Sequence, residues 1–211
     1  MPRTQPFDEH LDEYEQWFER HRHVYLSEIE AIRHFVTRGE KGIEIGVGSG
    51  RFALPLGIKE GIEPSAVMRE FAARQGITVY EGAAENLPLP DDSYDFVLMV
   101  TTICFLDDVL KSFREIHRVL KPAGSFIIGL VDKDSPLGKL YERMKELNTF
   151  YRIATFYSVD AVIGYLQETG FGDIKIVRTV FGDLESIAEI QPFKEGYGKG
   201  GFVAIKAARL G

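Results

Sequence analysis

Apolar and polar positions along this chain fall into two rhythms. From residue 42 onward, short apolar runs at 42–45, 77–80, 94–100 and 125–131 alternate with segments whose apolar residues recur at helical spacing. A short apolar run between turn signals reads as a buried strand, and recurrence at i, i+3 and i+4 reads as a helix. Val109, Leu110, Phe113, Ile116 and Leu120 mark the inward face of a helix over 107–120. Residues 52–56 read as a short helix in which Pro55 must sit in the first turn or bend it. Residues 57–63 read as a weak strand ending in Glu63, and Pro64-Ser65 opens a helix to about residue 74. Lys121-Pro122-Ala123-Gly124 stops the long helix, so that 125–131 is the fifth strand. Strands alternating with helices at these lengths predict a parallel sheet covered on both faces.

Two segments stand outside that alternation. Over residues 8–37, Leu11, Tyr14, Trp17 and Phe18 and then Tyr25, Ile29, Ile32 and Val36 recur at helical spacing, and Gly39 suits a C-cap. Residues 132–157 begin as a loop, continue as a helix over 137–147, and end in a cluster of Phe150, Tyr151, Phe156 and Tyr157. Ser158 then N-caps a helix to Glu168, and Gly170 ends it. Strands over 171–180 and 202–206, joined only by a loop, suggest an antiparallel edge. No composition break divides the chain. It reads as one domain, 1–211: a helical cover (1–39), a core (40–131), an insertion (132–157) and a closing helix with edge strands (158–211).

Composition narrows the partners. With a formal charge of −7 over 211 residues and no basic face, the chain is not expected to bind nucleic acid or an anionic membrane surface. Residues 1–10 lack the apolar core of a signal peptide, and no apolar run approaches the ~20 residues of a membrane span. One cysteine, Cys104, fits a reducing compartment, so a cytoplasmic location is expected. No Cys/His spacing suggests a metal site.

The chemistry centres on Glu44-Ile45-Gly46-Val47-Gly48-Ser49-Gly50, which follows the first apolar run and enters a segment rich in Ala and Leu. Glycine removes the Cβ, so a ligand can lie against the backbone, and the following helix points its free N–H groups at the loop. Such a turn suits a nucleotide-like ligand. A dinucleotide fingerprint needs a glycine where Arg51 stands, and a P-loop needs Lys followed by Ser or Thr. The spacing instead resembles the first motif of the class I S-adenosylmethionine-dependent methyltransferases, E/D-x-G-x-G-x-G. Three further stretches agree in order. Glu63 ends the second strand. Residues 82–95, GAAENLPLPDDSYD, resemble that family's G-D-A-E-x-L-P-F-P-D-x-S-F-D, with Ala83 where the family has Asp. Residues 118–124, RVLKPAG, resemble its R-V-L-K-P-G-G.

The resemblance covers residues 40–131 strongly. It implies a doubly wound, Rossmann-like α/β fold with a seven-stranded sheet in the order 3-2-1-4-5-7-6, the last strand antiparallel. It implies S-adenosylmethionine as cofactor, held by Glu44, Gly46, Gly48, Gly50, Glu63, Pro64, Ala83, Ala84, Glu85, Leu87 and Thr101, with Glu63 on the ribose. The branch it resembles includes enzymes of quinone, polyketide and amine methylation.

The sulfonium methyl is already activated, so the protein must chiefly position an acceptor and exclude water. An amine acceptor needs only to be neutral, whereas a hydroxyl or carbon acceptor needs a base. Candidates for contact with the reacting groups are Tyr14, Thr101 and Tyr157. His21 and His23, in the N-terminal helices, are possible bases by chemistry, and His117 reads as structural. The N-terminal helices, with Tyr14, Trp17, Phe18, Tyr25 and Glu28, are expected to meet the insertion, with Tyr141, Phe150, Tyr151 and Tyr157, as an aromatic lid over the methyl group. Such a lid suits a cationic or aromatic acceptor. The expected activity is methyl transfer to a small molecule, with the acidic charge favouring an amine or neutral acceptor over a polyanion. A regulatory S-adenosylmethionine-binding protein and a protein methyltransferase are the alternatives.

Overall fold

Residues 4–211 are described by a computed structural model; residues 1–3 of the stretch tested for a signal peptide lie outside it. Three helices open the chain: α1 (Gln5–Glu9), α2 (Leu11–Arg20) and α3 (Arg22–Arg33). The alternating part follows as β1 (Gly42–Ile45), α4 (Ala53–Leu56), β2 (Glu60–Ile62), α5 (Ala66–Arg74), β3 (Thr78–Tyr80), β4 (Tyr94–Val100), α6 (Val109–Val119) and β5 (Leu120–Val131). The chain closes with α7 (Pro136–Met144), α8 (Val159–Glu168), β6 (Phe171–Thr179), β7 (Lys194–Glu195) and β8 (Phe202–Arg209). Helix starts follow local chemistry. The side chains of Ser65, Asp108, Ser135 and Ser158 each accept an N–H from the first turn of α5, α6, α7 and α8.

The sheet order is β3-β2-β1-β4-β5-β8-β6-β7. The first five strands pair in parallel, β8 runs antiparallel to both β5 and β6, and β7 is antiparallel to β6. Among the described residues the seven expected strands are therefore eight. The added strand is Lys194–Glu195, paired with Val177 and Arg178 at the outer edge. Two exposed charged residues give no apolar signal, and charges at a sheet edge also discourage pairing with another chain. The fifth strand also starts earlier than residue 125. Leu120 pairs with Tyr94, and regular pairing resumes at Ser125 with Phe96 after an irregular stretch. Ala123, at φ +61°, sits within that stretch.

Strand periodicity divides the core. Val97 and Met99 of β4 pack with Phe126, Ile128, Val203 and Ile205 beneath α6 and α8. Phe96, Leu98 and Val100 point the other way, with Ile127, Phe202 and Ala204, toward α3. No described helix is long and apolar enough to cross a membrane.

Candidate active site

The carboxyl ends of β1, β2 and β4 open into a cavity of about 500 Å³. One wall is the glycine loop. The N–H groups of Gly46 and Val47 donate to the Ile62 carbonyl at 2.8 and 3.0 Å, which ties the loop to β2. A Cβ on Gly46 would lie 2.4 Å from Thr102, so the turn after β1 has no room for one. Gly48, at φ +53°, faces the cavity, and a Cβ there would meet the Tyr14 hydroxyl at 3.2 Å. Gly50 lies outside the lining and packs against Ile77.

Glu63 lines the cavity and is 7% exposed. One carboxylate oxygen accepts the Gly48 N–H and the other the Ser65 N–H, both at 2.9 Å. Burial raises its pKa, and these two bonds oppose the rise. An ionised carboxylate has about four acceptor positions, so capacity for further hydrogen bonds remains. Pro64, next in sequence, also lines the cavity. Glu44 does not. It is buried behind the loop, where burial holds its pKa well above the usual range, the Ala53 N–H opposes, and one oxygen has no partner.

Gly82, Ala83, Ala84 and Glu85 line another stretch of wall, beside Leu106 and Asp107. The Glu85 carboxylate accepts the N–H groups of Asp107 and Asp108 at 2.9 and 3.3 Å, so it braces the approach to α6. Leu87 lies outside the lining, in the core under α6, with its N–H on Glu115. Thr101 lines the cavity at the end of β4 with φ +48°, a conformation that costs a non-glycine residue about 1–3 kcal/mol. Its N–H on the Gly129 carbonyl and its carbonyl on the Cys104 thiol help hold it there.

The roof comes from both segments outside the alternation. Arg51, where a dinucleotide fingerprint would have glycine, donates to Glu15 at 2.9 Å and to Glu19 at 3.0 Å, tying α2 to the glycine loop. The Ser65 hydroxyl donates to Asp8 at 2.6 Å and ties down α1. Phe150 of the insertion meets Phe7 at 5.3 Å and Tyr14 at 6.0 Å between ring centroids. Tyr141 and Tyr151 stack at 4.6 Å. A third cover, which sequence reasoning missed, is the loop between β6 and β7. There Leu184 lines the cavity, Glu185 meets His21 at 3.2 Å, and the Gln191 N–H donates to the Ser27 hydroxyl at 2.8 Å. Phe7, Phe105 and Asp107 line the site without a readable signal, because their neighbours come from distant elements.

Several expected positions change. Tyr157 lies outside the lining and packs against Tyr165 of α8 at 5.9 Å, on the core under α6 and α8. Its neighbour Phe156 is also outside the lining and packs with Tyr141 and Tyr151 in a small separate cluster. Tyr25 also lies outside, with its hydroxyl donated to the Arg51 carbonyl. His23 is exposed and outside the lining, and His117 packs against Phe171, also outside. Tyr14, Trp17, Phe18, Glu28, Tyr141, Phe150 and Tyr151 all line the cavity. Burial, with the charges of Glu44 and Glu63, holds the Tyr14 phenol well above its usual range, so Tyr14 serves as a neutral hydroxyl and not as a base.

A methyltransferase domain is recognised over residues 43–128, the stretch that builds this wall. A solved structure from Thermotoga maritima, described as a SAM-dependent methyltransferase and possible histamine N-methyltransferase, is 47% identical. The match covers 97% of this chain and 98% of that one, with a TM-score of 0.94. The chain belongs to the class I S-adenosylmethionine-dependent methyltransferases. An uncharacterized protein of Methanocaldococcus jannaschii is 43% identical over 97% of this chain and 98% of its own length. The demethylmenaquinone methyltransferase of Staphylococcus epidermidis is 27% identical, over 81% of this chain and 82% of its own. For this methyltransferase the recognised domain builds the wall, while the roof is built from segments on either side of it.

Proposed function

We propose that this methyltransferase acts on a small-molecule amine. The observation that carries the reading is the continuity of one cavity of about 500 Å³ from the Gly48–Glu63 wall to a roof of Trp17, Tyr141, Phe150 and Tyr151. Cofactor and acceptor share that volume, so little room is left for anything larger than a compact acceptor, and a folded protein or a nucleic acid would be kept out by the roof. The residues fit S-adenosylmethionine. Glu63 is a buried carboxylate with acceptor capacity to spare, suited to two ribose hydroxyls, and the bare backbone at Gly48 leaves room for the amino-acid portion. Ala83, Ala84, Glu85 and Asp107 would border the base, with backbone groups serving where the family's Asp is replaced by Ala83. The cofactor supplies an activated methyl group. The chain's own part is to hold the acceptor beside Thr101 and Tyr14 and to keep water out.

Aromatic walls attract cations through their π faces, which supports an amine over an anionic acceptor. The acidic net charge of −7 points the same way. The buried Cys104 supports a reducing, cytoplasmic setting. The test is release of S-adenosylhomocysteine from S-adenosylmethionine across a library of amines, quinols, carboxylates and denatured proteins. Turnover should concentrate in small amines. Turnover with the protein pool alone would overturn the reading.

A further inference from the structure

One buried acid in the cavity has no role in the cofactor wall. Glu28, in the middle of α3, is 5% exposed and lines the cavity among Val24, Tyr141 and Tyr151. Among the described residues no hydrogen bond or ion pair to its carboxylate is found, and its only influence on titration is burial. A carboxylate is rarely buried without a cation or donors, because removing its charge from water is costly. Among the described residues, this acid in the lining of a ligand cavity has no counter-charge.

We infer that Glu28 recognises the acceptor's ammonium group and takes its proton, leaving the nitrogen lone pair free. This deepens the small-molecule amine reading and rests on it. The proton transfer balances: R–NH3⁺ and Glu28–COO⁻ give R–NH2 and Glu28–COOH, with no other reactant. The surroundings favour both halves. Trp17, Tyr141 and Tyr151 present aromatic surface for the cation. Burial pushes the Glu28 carboxyl up to about 8, so its neutral form is accessible at physiological pH.

The other titratable groups at the cavity are distinguishable from it. From α2 and its end come Glu13, Tyr14, Arg20 and His21, the last paired with Glu185. The Tyr141 and Tyr151 phenols are raised by burial, and the Glu28 charge adds to the rise in both, so they stay protonated. Glu63, Glu85 and Asp107 belong to the cofactor wall. Of the elements packed against α3, α4 carries no charged residue. The charged residues of β5, β6 and β8, such as Arg178 and Lys206, do not line the cavity. On α3 itself, Arg22, His23, Tyr25, Glu30 and Arg33 also lie outside the lining.

The experiment saturates the whole chain with S-adenosylhomocysteine. 2-Phenylethylamine and n-butylamine, and their isosteric alcohols 2-phenylethanol and n-butanol, are then titrated in by calorimetry. Each amine should bind at least about tenfold more tightly than its alcohol, the low end of what a buried charge pair contributes. Repeating the titration at pH 7 in buffers of different ionisation enthalpy should show close to one proton released per amine bound, as the carboxyl ionises to meet the cation. Glu28→Gln should erase both the preference and the proton release while leaving S-adenosylhomocysteine affinity near that of the parent, which reports that the cofactor end of the cavity is still folded. Persistence of the preference in Glu28→Gln overturns the assignment, as does a parent that does not discriminate amine from alcohol. Tight alcohol binding without discrimination would leave the small-molecule reading standing. A parent that binds no probe, yet binds S-adenosylhomocysteine and methylates the protein pool, would remove both.

Discussion

Glu63 and Gly48 act as a pair. The carboxylate accepts the Gly48 N–H, so one side chain both fixes the glycine loop and faces the cavity. On the proposed reading, replacing it would remove a ligand contact and loosen the backbone against which the ligand would lie. Glu63→Ala should therefore weaken S-adenosylhomocysteine by about 2 kcal/mol or more, within the ~1.5–3 kcal/mol typical of a hydrogen bond to a charged group. Calorimetry reads the affinity, and thermal unfolding of the apo protein reads the structural share. Unchanged affinity would move the ribose partner elsewhere. The place of Glu63 at the cavity was legible in sequence because it ends the second strand of a parallel sheet, the end beyond which ligands sit, and is followed by Pro64-Ser65. Glu44 was legible as part of a motif, but its burial behind the loop was not, since motif spacing carries no information on which side of the backbone a carboxylate lies.

Elements with a period were readable, and elements held by tertiary contact were not. The apolar runs of β1, β4 and β5 and the stripe of α6 announce themselves, and the two N-terminal amphipathic segments do as well. The two-residue β7 and the loop carrying Leu184 have no such pattern, because their placement comes from Gln191 on Ser27 and Glu185 on His21. The aromatic cluster at 150–157 was visible, but its division was not: Phe156 packs with Tyr141 and Tyr151, and Tyr157 on the core under α6 and α8, with no strand ladder or helical period to fix which way each side chain turns. The contact of Phe150 with Phe7 and Tyr14 joins insertion to N-terminal helices. Aromatic pairs contribute about 0.5–1.5 kcal/mol each beyond area burial. Phe150→Ala should thus raise amide exchange in α1 and α2 of the complex with S-adenosylhomocysteine, by up to about tenfold, and leave the sheet unaffected. Unchanged exchange there would mean that Arg51 and Asp8 hold the roof without the insertion.

At the scale of the whole molecule, the buried acid under the roof ties stability to pH. The Glu28 carboxyl titrates at about 8 in the folded chain, against 4.5 for an ordinary glutamate. The folded state binds the proton more tightly than the unfolded one. Its contribution to stability is therefore fully present below about pH 4.5 and is lost as pH rises through about 8. Glutamine cannot titrate, so the stability of Glu28→Gln relative to the parent should rise with pH by about 1.4 kcal/mol per unit across that window. Urea unfolding of the apo proteins at pH 5, 6.5 and 8 measures the difference, and Glu44 and Glu63, also raised by burial, cancel in it. A difference that stays flat with pH would place the Glu28 carboxyl in contact with water or a cation, and would remove the energetic reason for it to seek an ammonium. A bound amine should reverse the trend, since the ion pair stabilises the charged carboxylate that folding alone disfavours. The same burial that weakens the empty protein at high pH would then make the cavity selective for the cation.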